Sequence, residues 1–253
     1  MFIDTHAHIY SDEFKVDLQE MLDRAFKSGL TDILMPNIDM NSFDGMMDIA
    51  AEYKNCHPMI GLHPCHVKDN YLDEMNFVEI KLAENKFVAI GEIGIDLYWD
   101  KSFANEQEIV FKRQISLAND ANLPIVIHSR DSLDLTIEIV ESAQNGNLKG
   151  VFHCFNGNVE QAKKIMNIGF LMGIGGVVTY KNSGLDKVVE QIPLEHIILE
   201  TDSPYLSPVP YRGKRNECAY LNEIASKIAQ LKFISLMEVG EITSRNAKSL
   251  FKI

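Results

Sequence analysis

Eight short apolar runs alternate with longer amphipathic stretches along the chain, and this rhythm restricts the fold more than any other feature. The runs begin at Phe2 and recur at Thr31–Pro36, Pro58–Pro64, Phe87–Gly94, Pro124–His128, Gly150–Phe155, Gly169–Ile174 and His196–Asp202. Between them the spacing is helical. Phe14, Leu18, Met21, Leu22 and Ala25 make one stripe within Phe14–Ser28, which Gly29 ends. Further helices are predicted over Asn41–Tyr53, capped by Asn41 or Ser42, and over Asp73–Glu84, Ala104–Ala121, Asp131–Ala143, Val159–Asn167 and Ser183–Gln191. Two more, near Glu217–Gln230 and Met237–Phe251, close the chain. Strict β/α alternation predicts a parallel sheet, and eight units in 253 residues predict an α/β fold closed as a (β/α)8 TIM barrel. An open doubly wound sheet is the poorer fit, because no G-x-G-x-x-G turn follows the first strand. No linker, repeat or low-complexity segment breaks the pattern, so residues 1–253 read as one domain.

In such a barrel the C-terminal strand ends converge on one mouth, where catalysis sits. Ligand-type residues stand at those ends. Asp4, His6 and His8 follow the first apolar run at alternate positions, which places them on one face of the strand. His63 ends the third strand, Glu92 lies on the fourth, His128 ends the fifth, His153 lies on the sixth and Asp202 ends the eighth. Four histidines and two carboxylates exceed the needs of one ion and fit two. His6, His8 and Asp202 would hold one ion, His128 and His153 the other, with Glu92 between them. Two ions about 3.5–4 Å apart clamp the attacking and leaving oxygens of a phosphoryl transfer. The mixed nitrogen and oxygen set suits Zn²⁺, Mn²⁺, Fe²⁺ or Ni²⁺ better than Mg²⁺. His63 is expected at the rim or against substrate. His57, His66 and His196 are expected to be structural or solvated, and Cys154 to face the helices around the barrel.

Charge and cysteine usage narrow the function classes. A net charge of −12 does not favour nonspecific nucleic-acid binding by the surface as a whole. Metal ions and a local basic patch can reverse the field inside a cleft. Cys56, Cys65, Cys154 and Cys218 form no C-x-x-C pair, so neither a zinc knuckle nor a redox motif is signalled, and scattered thiols suit a reducing cytoplasm. The first residues lack the pattern of a signal peptide, and the longest near-apolar stretch, Phe170–Val178, is too short to span a membrane.

Together these blocks resemble the TatD family of metal-dependent deoxyribonucleases, within the wider amidohydrolase-like metal barrels. The matching segments are Asp4-Thr5-His6-Ala7-His8, Gly61-Leu62-His63-Pro64, Gly91-Glu92-Ile93-Gly94-Ile95-Asp96, His128-Ser129-Arg130, His153-Cys154-Phe155-Asn156-Gly157 and Glu200-Thr201-Asp202-Ser203-Pro204-Tyr205-Leu206. The last continues through Pro208-Val209-Pro210 and Arg212-Gly213-Lys214-Arg215-Asn216. The resemblance implies a two-metal site of His6, His8, Glu92, His128, His153 and Asp202. It also implies phosphodiester hydrolysis, as a Mg²⁺-supported 3′-to-5′ exonuclease on DNA. The chain departs from the family pattern at Cys218, where a proline is usual, at Leu97, where an aromatic is common, and at Cys65, where a polar residue is usual.

On this reading Asp202 and Glu92 are the catalytic carboxylates, and Asp202 accepts the proton of the attacking water. His63, Arg130 and Arg212 would contact substrate, and the cluster Arg212-Gly213-Lys214-Arg215 would funnel a strand toward the mouth. Tyr98, Trp99, Tyr205 and Tyr211 would stack bases or equally line a small-molecule pocket. Single-stranded DNA or a 3′ end is the expected substrate, Mg²⁺ or Mn²⁺ the activating ion, and no membrane or obligatory protein partner is implied. The alternative is a small-molecule amide or ester hydrolase, or a deacylase of misacylated tRNA, on the same two-metal barrel.

Overall fold

The computed structural model describes residues 1–253. Eight parallel strands appear in the predicted order: β1 (Phe2–Asp4), β2 (Leu30–Met35), β3 (Cys56–Pro58), β4 (Ile90–Asp96), β5 (Ile125–Arg130), β6 (Gly150–Phe152), β7 (Leu171–Ile174) and β8 (Ile197–Leu199). They form a three-stranded sheet, β1-β2-β3, and a five-stranded one, β4 through β8. Backbone hydrogen bonds span both seams. Thr5 N donates to Leu199 O and Asp202 N to His6 O, while Val88 N donates to Pro58 O and Gly91 N to Ile60 O. The strands thus run round a (β/α)8 barrel in sequence order.

Nine α-helices follow the strands: α1 (Leu18–Lys27), α2 (Met40–Glu52), α3 (Tyr71–Glu84), α4 (Ala104–Ala121), α5 (Leu133–Ala143), α6 (Val159–Asn167), α7 (Leu185–Gln191), α8 (Leu221–Lys232) and α9 (Leu236–Phe251). The cap of α2 is Asp39, not Asn41 or Ser42. Its carboxylate accepts from Ser42 N, and the Ser42 hydroxyl accepts from Asp39 N, a reciprocal box. Phe14 precedes α1 in a short 3-10 turn and is fully buried. No helix is long and apolar enough to cross a membrane.

The core has two layers. Most of the apolar side chains, such as Ile93, Ile127, Phe152 and Leu199, pack outward against the helices. A smaller set fills the ring: Ile3, Leu34, Met59, Ala89, Val126, Val151 and Ile198, joined by Ala247, Leu250 and Phe251 at the end of α9. That inner layer fixes the parity of each strand. Val126 points inward, so His128 does too; Val151 sets His153, and Ile198 sets Glu200 and Asp202. The layer lies on the N-terminal side of these polar residues and closes the barrel below them.

Several elements are shorter than the apolar runs suggest. β3 stops at Pro58, which lacks an N–H for the ladder, and beyond it only Ile60 bridges to Ile90. His63 therefore sits in a loop, at the start of a 3-10 turn over Pro64–His66. β1 ends at Asp4. Its carboxylate turns to Thr201, accepting from the backbone N–H at 2.9 Å and the hydroxyl at 2.6 Å. Ile3 is the inward residue of β1, so the expected alternation from Asp4 through His8 does not hold, and Asp4 ties the ends of β1 and β8 together.

Candidate metal centre

Five imidazoles surround one carboxylate at the mouth. Glu92 Oε2 lies 3.1 Å from His6 Nε2 and 3.5 Å from His8 Nε2. Its other oxygen, Oε1, lies 2.9 Å from His128 Nδ1, 3.4 Å from His153 Nε2 and 3.3 Å from His63 Nε2. Asp202 Oδ1 stands on the first side, 3.6 Å from His8 Nε2 and 3.9 Å from His6 Nε2. The two oxygens of Glu92 thus face the two histidine groups separately, with His63 added to the second.

Local structure explains the placement. The β4–β5 register shifts between Ile90 and Ile93, the stretch that carries Glu92. The glycines on either side of Glu92 serve the packing of the neighbouring strand. At Gly91 a Cβ would stand 2.7 Å from Val126 Cβ, and at Gly94, with φ +140°, 2.0 Å from His128 O, so both let β5 approach. Asp202 has φ +57°, a left-handed conformation that aspartate tolerates, and its carbonyl accepts from Tyr205 N.

Hydrogen bonding assigns two of the ring nitrogens. His63 Nδ1 accepts from Cys65 N at 3.0 Å, so in the neutral ring Nε2 carries the proton and points at Glu92 Oε1. His63 is therefore a donor to the central carboxylate. His128 lies between Glu92 and Asp96, each 2.9 Å away. Burial opposes its charge, but the bonds to Asp96 and Glu92 overcome this and raise its pKa to about 9. For His8 and His153, burial lowers the pKa and favours the neutral ring. Burial also opposes ionisation of Glu92, yet His63, His6 and His153 outweigh it and hold the carboxyl well below its usual range. Burial raises Asp202 to about 6 against the pull of His153 and His6.

The donor set fits divalent ions. His6 Nδ1 is buried without a hydrogen-bond partner; His153 Nδ1 lies 3.1 Å from Glu200 Oε1 but out of line for a bond. With one N–H each, neutral rings cannot satisfy both their own two nitrogens and the oxygens of Glu92 and Asp202, a shortfall that a cation relieves. Ligand atoms of His6, His8 and Glu92, and of His6, His153 and Asp202, lie close enough to share an ion. On the other side of Glu92, the ligand atoms that lie close enough are those of His63, Glu92 and His128.

Two carboxylates at the mouth escape a reading by strand ends. Asp96 fixes His128 and accepts from the backbone of Tyr98 and Trp99. Glu200 accepts from Cys154 N at 2.5 Å, and burial raises it to about 7. Both share strand parity with a predicted ligand, Asp96 with Glu92 and Glu200 with Asp202, and parity is the signal that finds them. Cys154 does not pack against the helices. β6 ends at Phe152, Cys154 turns with φ +48°, and its thiol lies beside His153 and Glu200.

The predicted substrate contacts separate. Arg130 is exposed, stacked 3.8 Å over the Tyr98 ring and 5.2 Å from that of Trp99. It lines a cleft of about 530 Å³ with Tyr98, Ser129, Asp131, Asn156 and Gln161. Arg212 stacks 3.7 Å over Tyr180. Arg215 is no part of a free basic funnel, because both its terminal nitrogens bond Asp17, at 2.6 and 2.7 Å. Tyr211 is stacked on Tyr220, with centroids 3.8 Å apart, whereas Trp99 and Tyr205 are open to solvent. His57 and His66 pair with Asp32 and Asp39 away from the centre.

Comparison with known proteins agrees with this architecture. A family model described as TatD related DNase matches residues 3–252. The chain is 39% identical to an uncharacterized metal-dependent hydrolase, YabD, of Bacillus subtilis, over 100% of both chains. It is 32% identical to an uncharacterized metal-dependent hydrolase of Methanocaldococcus jannaschii, over 99% of this chain and 97% of that one. Among solved structures it is similar to YjjV, a TatD homolog from Escherichia coli, with TM-score 0.91 and 28% identity over 100% of this chain and 98% of that one.

Proposed function

The chain belongs to the TatD-related DNase family, whose relatives are metal-dependent hydrolases, and on that premise we propose that it hydrolyses phosphodiesters as a 3′-to-5′ deoxyribonuclease acting on single-stranded DNA or 3′ ends. The observation that carries the reading is the division of the Glu92 oxygens between two histidine groups, with Asp202 beside one of them. His6, His8 and Asp202 would hold one divalent ion, His128 and His153 a second, and Glu92 both. Bound there, the ions supply Lewis acidity for the attack of water on phosphorus and for the developing charge. Mg²⁺ or Mn²⁺ would support turnover, and the histidine-rich set would also take Zn²⁺, Fe²⁺ or Ni²⁺.

The protein's own groups do the rest. Asp202 reaches the reacting side of the centre and takes the proton released by water. His63 holds its proton on Nε2 toward Glu92, which keeps that carboxylate ionised and oriented. Arg130 and Arg212, each laid over an aromatic ring, present guanidinium edges to phosphates on either side of the mouth. Trp99 and Tyr205 offer exposed faces for bases. These paired cations and rings favour a nucleic acid over a small amide or ester, despite the net charge of −12.

The test uses metal-stripped protein with 3′-labelled and 5′-labelled single-stranded DNA, with and without Mg²⁺ or Mn²⁺, alongside His153→Ala. Metal-dependent shortening from the 3′ end, lost in the variant, is the expected result. Intact DNA in the presence of bound metal would refute the nuclease reading and leave the amide, ester or aminoacyl substrates.

A further inference from the structure

Tyr10 stands two residues beyond His8, past the end of β1, and its hydroxyl touches two groups. It lies 2.5 Å from the carbonyl oxygen of Pro36 and 2.9 Å from Nδ1 of His8. A carbonyl oxygen only accepts, and a phenol has one proton to give. At these distances that proton lies toward Pro36, so the tyrosine oxygen is left to accept from His8. His8 Nδ1 must then carry its own proton. A neutral imidazole has only one, so Nε2 keeps its lone pair, and Nε2 is the atom aimed at Glu92 and Asp202.

Pro36 is itself anchored to the centre. It follows β2 directly, and the next residue, Asn37, donates its N–H to Gly91 O and accepts at its carbonyl from Glu92 N, both at 3.0 Å. The Asn37 side chain donates to the carbonyls of Asp39 and Gly61. The Tyr10 hydroxyl thus ties the ring of His8 to the backbone segment that fixes Glu92. His6 and His153 have no such partner at Nδ1.

We propose that Tyr10 is a positioning residue of the metal centre: through Pro36 it selects the Nδ1–H tautomer of His8 and presents Nε2 to the ion shared with His6 and Glu92. The inference rests on the metal-binding half of the function proposed above and not on DNA being the substrate. Packing alone does not account for the hydroxyl. A phenylalanine would keep the edge contact between the rings, whose centroids are 5.8 Å apart, and lose only the oxygen.

The test is made on the full-length chain, labelled with ¹⁵N at histidine and loaded with Zn²⁺, beside Tyr10→Phe. Long-range ¹H–¹⁵N spectra of the wild type are expected to show His8 protonated at Nδ1 and coordinated through Nε2. Competition with a zinc chelator is expected to show one zinc equivalent bound about 10- to 100-fold more weakly in Tyr10→Phe. The other equivalent and the melting temperature should stay unchanged. Coordination of His8 through Nδ1 in the wild type overturns the proposal, and so does a Tyr10→Phe protein that binds both equivalents as tightly as the wild type. Should the variant fail to fold, the wild-type spectrum decides. Neither readout involves DNA, so failure of the nuclease assay and failure of this proposal are separate results.

Discussion

Asp202 and Glu92 are both buried carboxylates, yet their neighbours give them different work. Glu92 is enclosed by five imidazoles and has no free edge for a proton. Asp202 lies 3.6 and 3.9 Å from His8 and His6, near His153, and takes no hydrogen bond from any of these rings. On the proposed function it is the group that takes the proton from water, while the histidines and Glu92 hold the ions. Asp202→Asn preserves shape and removes that basicity. Turnover of a 3′-labelled oligonucleotide is expected to fall by about 10²- to 10⁴-fold while bound metal, measured by mass spectrometry, is retained. Full activity in the variant would refute the role.

At the scale of strands and helices, the inner layer of the barrel governs the site. Gly173 on β7 shows how tightly: a Cβ there would stand 2.1 Å from Glu200 Oε2. Gly173→Ala is expected to push Glu200 off the Cys154 N–H and to cost about 1–3 kcal/mol, read from urea denaturation. Stability equal to wild type would show that the cleft between β7 and β8 yields freely. The same inner layer explains what was legible beforehand. Val126, Val151 and Ile198 alternate with His128, His153 and Asp202, so periodicity alone places those ligands in the mouth. The helices α4 and α6 keep their predicted limits, α6 behind a reciprocal cap of Asn158 and Gln161 and α4 although Gln107 and Gln114 interrupt its buried face. Periodicity fails where a strand stops. Beyond Asp4 and His153 the chain bends, which hid the contact of Tyr10 with His8 and the inward turn of Cys154. It fails also for side-chain pairs: Arg215 is held by Asp17, 198 positions earlier, and no local pattern reveals that.

Across the whole molecule, that pair helps close the chain on itself. Arg215 and Arg24 join Asp17 to Glu217, and so fasten the segment after β8 to the start of α1. The bonds from Arg215, then Arg24, lower Asp17 from 3.8 to about 2 although burial opposes them. A carboxyl whose folded pKa is depressed adds stability that is full above its unfolded pKa and lost as pH falls through the folded value. The stability gap between wild type and Asp17→Asn, from urea midpoints, is therefore expected to be complete above about pH 4 and to close toward pH 2. A gap that persists at pH 2 would show that the pair acts through packing. The barrel as a whole presents one mouth, and the account stands on that mouth holding two ions with Glu92 between them. Anomalous diffraction from zinc-loaded crystals, recorded on both sides of the zinc absorption edge, tests this most directly. The prediction is two peaks per chain flanking the Glu92 carboxylate, one beside His6 and His8 and the other beside His128 and His153. A single peak, or a peak at His153, Cys154 and Glu200 in place of either, would contradict it.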